Sequence, residues 1–318
     1  MCRMNAILQA RRRIIGKVER TPLLYSHALS HRYECDLYLK MECWQRCGCF
    51  KVRGAINAVS ALTADERARG LITCSSGNHG LALAYAAELF GGAPVRIYVP
   101  EKAQKAKVDK IRQLGADVMP RGSHFLETLE AALKYAETSG GTFVHSHDDP
   151  LVIAGQGTIG IELLEQLPEI DVVVVPVGGG GLISGIASAL KPAAPNSRVF
   201  GVEPDAAPGA WLSFRDGRCH ERIELRPSVA DGLCGTLTPR TFSIMRKHVE
   251  TIELVGERDI ELSMQRLLKD EQLLVEGSAA VGLAAIEKGT VNVRGKKTVI
   301  ILTGRNIQAT EYLHRVGN

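Results

Sequence analysis

The stretch Asp171-Val-Val-Val-Val-Pro-Val-Gly-Gly-Gly-Gly-Leu182 constrains the fold more than any other part of this chain. Its run of valines shows no polar alternation, so the strand they form must be covered on both faces, as in a parallel sheet. Parallel strands need crossover connections, and the chain supplies them from about Thr73 onward. Residues 96–100, 141–145, 199–203 and 298–302 read as further strands, and 103–114, 182–190, 257–268 and 278–288 as helices. This alternation predicts an α/β protein of open, mostly parallel sheets with helices on both faces. No low-complexity linker divides the 318 residues, so two domains would be arranged with one inserted in the other.

Composition excludes several function classes. The formal net charge is only +4, aromatic residues make up 5%, and basic residues are dispersed apart from Arg11-Arg12-Arg13. A nucleic-acid surface needs a concentrated basic stripe with stacking partners, and none is expected here. No apolar stretch before Gly16 suits a signal peptide, and no run of about eighteen apolar residues suits a membrane span. Eight cysteines in such a chain read as free thiols of a reducing compartment, which predicts a soluble cytoplasmic protein.

Three local patterns carry chemistry. Gly178, Gly179, Gly180 and Gly181 follow a buried strand and precede the helix opening at Leu182. Glycines there let backbone N–H groups crowd around an anion at the positive end of a helix, which makes a phosphate site. The turn is neither a Walker loop nor a G-x-G-x-x-G fingerprint, although Glu203, twenty-two residues past Gly181, keeps a dinucleotide and hence a NAD-linked oxidoreductase in view. The second pattern is Thr73-Cys-Ser-Ser-Gly-Asn-His-Gly80, where Ser75, Ser76, Asn78 and His79 gather more donors at a helix start than a cap needs, suiting a carboxylate or a phenolate oxygen. The third is Gly48-Cys-Phe-Lys-Val-Arg-Gly-Ala55. Lys51 follows Phe50, opens a small-residue helix and stands beside Arg53, a setting in which a desolvated lysine can serve as nucleophile or Schiff-base partner.

Two other clusters are better read as structure. Cys43, Cys47 and Cys49 lack the paired C-x2-C blocks and fourth ligand of a structural zinc site. His145, His147, Asp148 and Asp149 fall where a strand leaves for a helix, so hinge and capping roles are expected.

Taken together, the patterns resemble the fold-type II pyridoxal-phosphate (PLP) enzymes, in the threonine (serine) dehydratase and serine racemase branch. The likeness runs over nearly the whole chain and also includes Asp148-Asp-Pro-Leu-Val-Ile-Ala-Gly-Gln-Gly-Thr158, Ala230-Asp-Gly-Leu233 and Leu302-Thr-Gly-Arg-Asn306. It implies a large PLP-binding domain of residues 1–65 and 148–318, with a small inserted domain of 66–147 closing over the substrate, and usually a homodimer. It implies that Lys51, with Phe50 beside it, holds the cofactor, and that Ser75, Ser76, Asn78 and His79 bind substrate. Asn78 would also meet the PLP ring oxygen, glycines 178–181 with Leu182 the phosphate, and Thr303 the pyridine nitrogen.

The resemblance further implies a dehydratase that turns an L-β-hydroxy amino acid, such as threonine or serine, into a 2-oxo acid and ammonia. Ser76 stands where racemase relatives carry their second acid/base, which makes amino-acid racemisation the main alternative. Hydroxyaspartate, phenylserine or a hydroxylated diamino acid derived from hydroxyectoine are other candidate substrates, and a non-catalytic amino-acid sensor has no need of Lys51. Departures from the pattern are Cys49 beside the lysine and Arg305 in the C-terminal motif. The family's divalent-cation site would use Glu203 and the Ala207 carbonyl, but its third position is Gly209, so no metal is expected. The biosynthetic relatives carry a C-terminal regulatory domain, and none is expected within the residues up to Asn318.

Overall fold

A computed structural model of the protein describes residues 4–103, 105–123 and 125–317; Cys2 and Gln104, the latter within the expected 103–114 helix, lie outside them. Among the described residues, ten strands form two sheets. They are β1 (Leu23–Tyr25), β2 (Asp36–Lys40), β3 (Leu71–Cys74), β4 (Val95–Val99), β5 (Asp117–Pro120), β6 (Thr142–Phe143), β7 (Val172–Pro176), β8 (Arg198–Pro204), β9 (Thr251–Val255) and β10 (Lys297–Ile301). The larger sheet has the order β1-β2-β10-β7-β8-β9 and the smaller one β5-β4-β3-β6. Among the described strand pairs only the edge pair β1–β2 is antiparallel.

The valine run becomes the central strand β7, paired with β10 on one side and β8 on the other. Successive side chains of a strand point to opposite faces, and here both faces are covered. Val172 and Val174 join a core with Ile300 and Val202, beneath the helices Glu257–Glu271 and Gly277–Glu287. Val173 and Val175 join a second core with Val299 and Ile301, beneath the helices Pro150–Gln166 and Gly181–Ala193. All four valines are fully buried. The smaller sheet is likewise sandwiched: Leu71, Ile97 and Val118 pack toward the helices Lys51–Ser60 and Asn78–Leu89, and Ile72 and Tyr98 toward the helix Phe125–Ser139.

The expected strands and helices appear with ends shifted by one to three residues, and the 141–145 strand shrinks to Thr142–Phe143. Strands β1, β2, β3, β5 and β9 were not anticipated. Three of these (β1, β5 and β9) lie at sheet edges, where half-exposed residues blur the buried-strand signal. Among the described residues no helix is long and apolar enough to cross a membrane. In open parallel sheets ligands bind beyond the carboxyl ends of the strands, and the loops leaving β3, β6, β7 and β10 converge there around a cavity of about 840 Å³.

Candidate active site

Lys51 sits at the base of this cavity because its approach is pinned to the end of β10. The Phe50 N–H donates to the Thr303 carbonyl at 3.1 Å, Cys49 forms a bridge with Gly304, and the Arg305 N–H donates to the Gly48 carbonyl. Lys51 Nζ then donates to the Ser146 carbonyl at 3.1 Å and lies 5.2 Å from the centre of the Phe50 ring. Burial pushes its ammonium down to about 8, against the opposing pull of Cys49 and Glu276. Arg53 plays no part in that shift. Two residues further along a helix it points to the far side, where it is fully buried between Glu42 and Glu162 at 2.6–2.9 Å.

The loop leaving β3 brings Ser75, Ser76 and Asn78 to the cavity wall at the start of the helix Asn78–Leu89. His79 also lines it, but its ring is committed differently from the sequence expectation of a donor. Nε2 meets the Val144 carbonyl at 3.1 Å, so the proton belongs there, and Nδ1 is a buried acceptor with no partner among the described residues. Burial first and Lys51 second push this imidazole down to about 3, so it stays neutral. What His79 offers a carboxylate is its backbone N–H in the first helical turn, which has no intrahelical acceptor.

Glycines 178–181 and Leu182 line the opposite wall. Side chains are excluded there: a Cβ on Gly179 would lie 2.3 Å from His147 Cγ, and Gly180 has φ +79°. The loop thus exposes bare backbone ahead of the helix Gly181–Ala193, as an anion requires. His147, expected as a hinge residue and, with residues 231–236, at the pocket wall facing the substrate side chain, lines the cavity as those residues do; its Nδ1 is 2.9 Å from Ser146 Oγ. Asp149 does cap the helix Pro150–Gln166, accepting from Leu151 N and Val152 N. At the end of β10 the Thr303 hydroxyl is 97% buried and has no partner among the described residues.

Residues 14–304 match the family described as pyridoxal-phosphate dependent enzyme. The chain belongs to this family. It is 43% identical over 311 residues to an L-threonine ammonia-lyase of Thermotoga maritima, covering 96% of this chain and 76% of the relative. It is 38% identical over 301 residues to a β-hydroxyaspartate dehydratase of Paracoccus denitrificans, covering 95% of each. Among solved structures, maize serine racemase superposes with a TM-score of 0.91 at 33% identity, covering 98% of this chain and 96% of that one. The fold is that of the fold-type II PLP enzymes.

The site's chemistry suits PLP as this family's cofactor. An amine lowered toward neutrality stands at the base, the side-chain-free Gly178–Gly181 turn gives a phosphate cradle, and the orphaned Thr303 hydroxyl offers a buried polar contact. A dinucleotide does not suit it: Glu203, the acid such a ligand would need, is fully buried and accepts from Ala210 N and Trp211 N, both at 2.9 Å. The same two amides disfavour a divalent cation at Glu203. Both of its oxygens are engaged in capping the helix Gly209–Asp216, burial raises its carboxyl to about 8, and Gly209 contributes no side-chain ligand.

Sequence reading missed Glu276 and gave Asn306 no task of its own, yet both line the cavity and bind Asn78. Only Asn306 had a local signal, as the last residue of Leu302-Thr-Gly-Arg-Asn306. It also missed Lys107 and Asp231 as a pair: they form a salt bridge between the helix Lys105–Gln113, beside the smaller sheet, and the turn Asp231–Leu233.

Proposed function

We propose that this chain is a PLP-dependent ammonia-lyase that dehydrates an L-β-hydroxy amino acid, threonine or serine first, to a 2-oxo acid and ammonia. When bound, PLP supplies the electron sink for the charge left at the substrate α-carbon. Lys51 would hold the cofactor and, once free, remove the α-proton; its lowered pKa suits a general base near neutral pH. Glycines 178–181 and Leu182 would hold the phosphate, Asn78 the ring oxygen, and Phe50 the wall beside the lysine. Ser75, Ser76 and the His79 N–H would receive the substrate carboxylate. The reaction removes the α-proton and the β-hydroxyl as water, and hydrolysis of the resulting enamine releases ammonia.

The observation that carries elimination is the partnerless Thr303 hydroxyl at the place expected for the pyridine nitrogen. A neutral Thr303 hydroxyl, rather than a carboxylate, would leave the bound cofactor drawing charge from the substrate less strongly, which would favour expulsion of the β-hydroxyl over return of the α-proton. The relative from Thermotoga maritima supports threonine as the substrate.

Ser76 supports racemisation as a second activity, because it lines the cavity and matches the place of a second acid/base in racemase relatives. The test is incubation of PLP-loaded protein with L-serine and chiral analysis beside 2-oxo acid release. Ser76→Ala should raise KM for elimination through loss of a carboxylate contact, and should lower the ratio of D-serine to 2-oxo acid formed from L-serine at least tenfold. An unchanged ratio would remove Ser76 from the chemistry.

The reading extends to a small domain of 66–147 that closes over the substrate, supported by the Lys107–Asp231 bridge across the mouth. It also includes a cytoplasmic location, supported by seven described cysteines as free thiols, and a homodimer, which rests on the resemblance alone.

A further inference from the structure

Asn78 is held on both ends of its side-chain amide. Its Oδ1 accepts from Asn306 Nδ2 at 2.7 Å, and its Nδ2 donates to Glu276 Oε1 at 2.8 Å. Asn306 is fixed in turn, its Nδ2 also donating to the Cys47 carbonyl at 2.7 Å and its backbone N–H to Glu276 Oε2 at 3.0 Å. A flipped Asn78 amide would set oxygen against carboxylate and NH2 against NH2, losing two hydrogen bonds and creating two repulsions. The network therefore fixes the amide orientation and leaves one Asn78 N–H for the cavity.

Glu276 is 92% buried and accepts an N–H on each oxygen. A carboxylate does this fully, whereas a carboxylic acid or a carboxamide turns a hydrogen toward one of those donors. Its backbone is tied to the same place, since its N–H donates to the Gly304 carbonyl. Gly304 has no room for a side chain, because a Cβ there would lie 2.5 Å from Glu276 Oε1.

We propose that Glu276 is a positioning residue whose ionised carboxylate, with Asn306, locks Asn78 with an N–H toward the ring oxygen of PLP, so that cofactor affinity depends on Glu276 keeping its charge. This rests on the PLP reading of the cavity. The charged and titratable groups around Glu276 are Asp231 and Lys107 at the mouth, and Lys51, Cys49 and Cys43 toward the base. Burial first and Asp231 second raise its carboxyl to about 7, against the Asn306 N–H, Lys107 and Asn78. As pH falls through that value the carboxylate takes up a proton, one acceptor is lost, and the lock on Asn78 loosens.

The experiment is titration of the apoprotein with PLP between pH 6 and 8.5, with Kd read from the bound-cofactor absorbance and folding checked by circular dichroism. For the wild type, Kd should rise about fivefold between pH 7 and pH 6. Glu276→Gln should bind PLP at least tenfold more weakly at pH 8, with that pH-dependent component removed. The phosphate titrates alike in both proteins. Loss of the Glu276 charge lowers the Lys51 pKa further, but Lys51 is protonated below pH 7 in both, so the difference in the low-pH rise isolates Glu276. Asn306→Ala, which leaves the charge in place, should weaken PLP while retaining the low-pH rise, and it decides the matter if Glu276→Gln does not fold. Wild-type affinity and pH dependence in Glu276→Gln, or wild-type affinity in Asn306→Ala, would overturn the proposal alone. A wild type that binds no PLP would overturn the cofactor reading and the proposal with it.

Discussion

A lysine amine attacks a carbonyl only as the free base, so the pH at which Lys51 sheds its proton governs how the apoprotein takes up its cofactor. Burial lowers that pH to about 8, well under the ordinary 10.5, and the amine becomes more reactive as pH rises through the lowered value. The rate of PLP incorporation into apoprotein should therefore climb between pH 7 and 9 with a midpoint near 8. A midpoint near the ordinary lysine value would contradict the geometry around Lys51. This residue was legible in the sequence because Phe50 and the glycines beside it advertise a buried turn. Glu276 was not, because its partner Asn78 is 198 residues away and only the fold brings the two together. His79 was half legible: its position was found, but the Val144 carbonyl that fixes its tautomer comes from another strand's end.

At the scale of elements, the helix Lys51–Ser60 is held by a buried ion network rather than by apolar packing alone. Arg53 pairs with Glu42 and Glu162, and Lys40 at the end of β2 pairs with Glu162 at 2.6 Å and donates to the Thr21 carbonyl. Two cations and two carboxylates balance, and their hydrogen bonds offset the cost of removing them from water. Arg53→Met leaves Glu42 buried without its guanidinium and should lower unfolding stability by about 3–5 kcal/mol, measured by urea denaturation of the apoprotein. A loss under about 1 kcal/mol would show that the network contributes little. The buried strands β7, β8 and β10 were readable, since residues covered on both faces leave an unbroken apolar run, whereas the helices Phe125–Ser139 and Pro239–His248 were not read. Arg53 was misread as a neighbour of Lys51 because adjacency in sequence is not adjacency on a helix.

For the whole molecule, two parallel sheets turn their carboxyl ends toward one cleft. The larger sheet contributes the glycine turn after β7 and Thr303 after β10; the smaller contributes Ser75–Asn78 after β3 and the histidines after β6. The motifs were visible in the sequence as separate turns. Their convergence was available only through the family resemblance, because a parallel topology joins loops that are distant along the chain. The Lys107–Asp231 bridge had no sequence signal, since an isolated lysine or aspartate ordinarily marks a solvated surface. The measurement that tests the central claim most directly is release of 2-oxo acid and ammonia by PLP-loaded protein from L-threonine, L-serine, L-hydroxyaspartate and L-phenylserine, alongside Lys51→Ala. Stoichiometric release of both products from L-threonine or L-serine, absent in Lys51→Ala, is the expected result. No release from any of the four while PLP is demonstrably bound to Lys51 would contradict the dehydratase assignment.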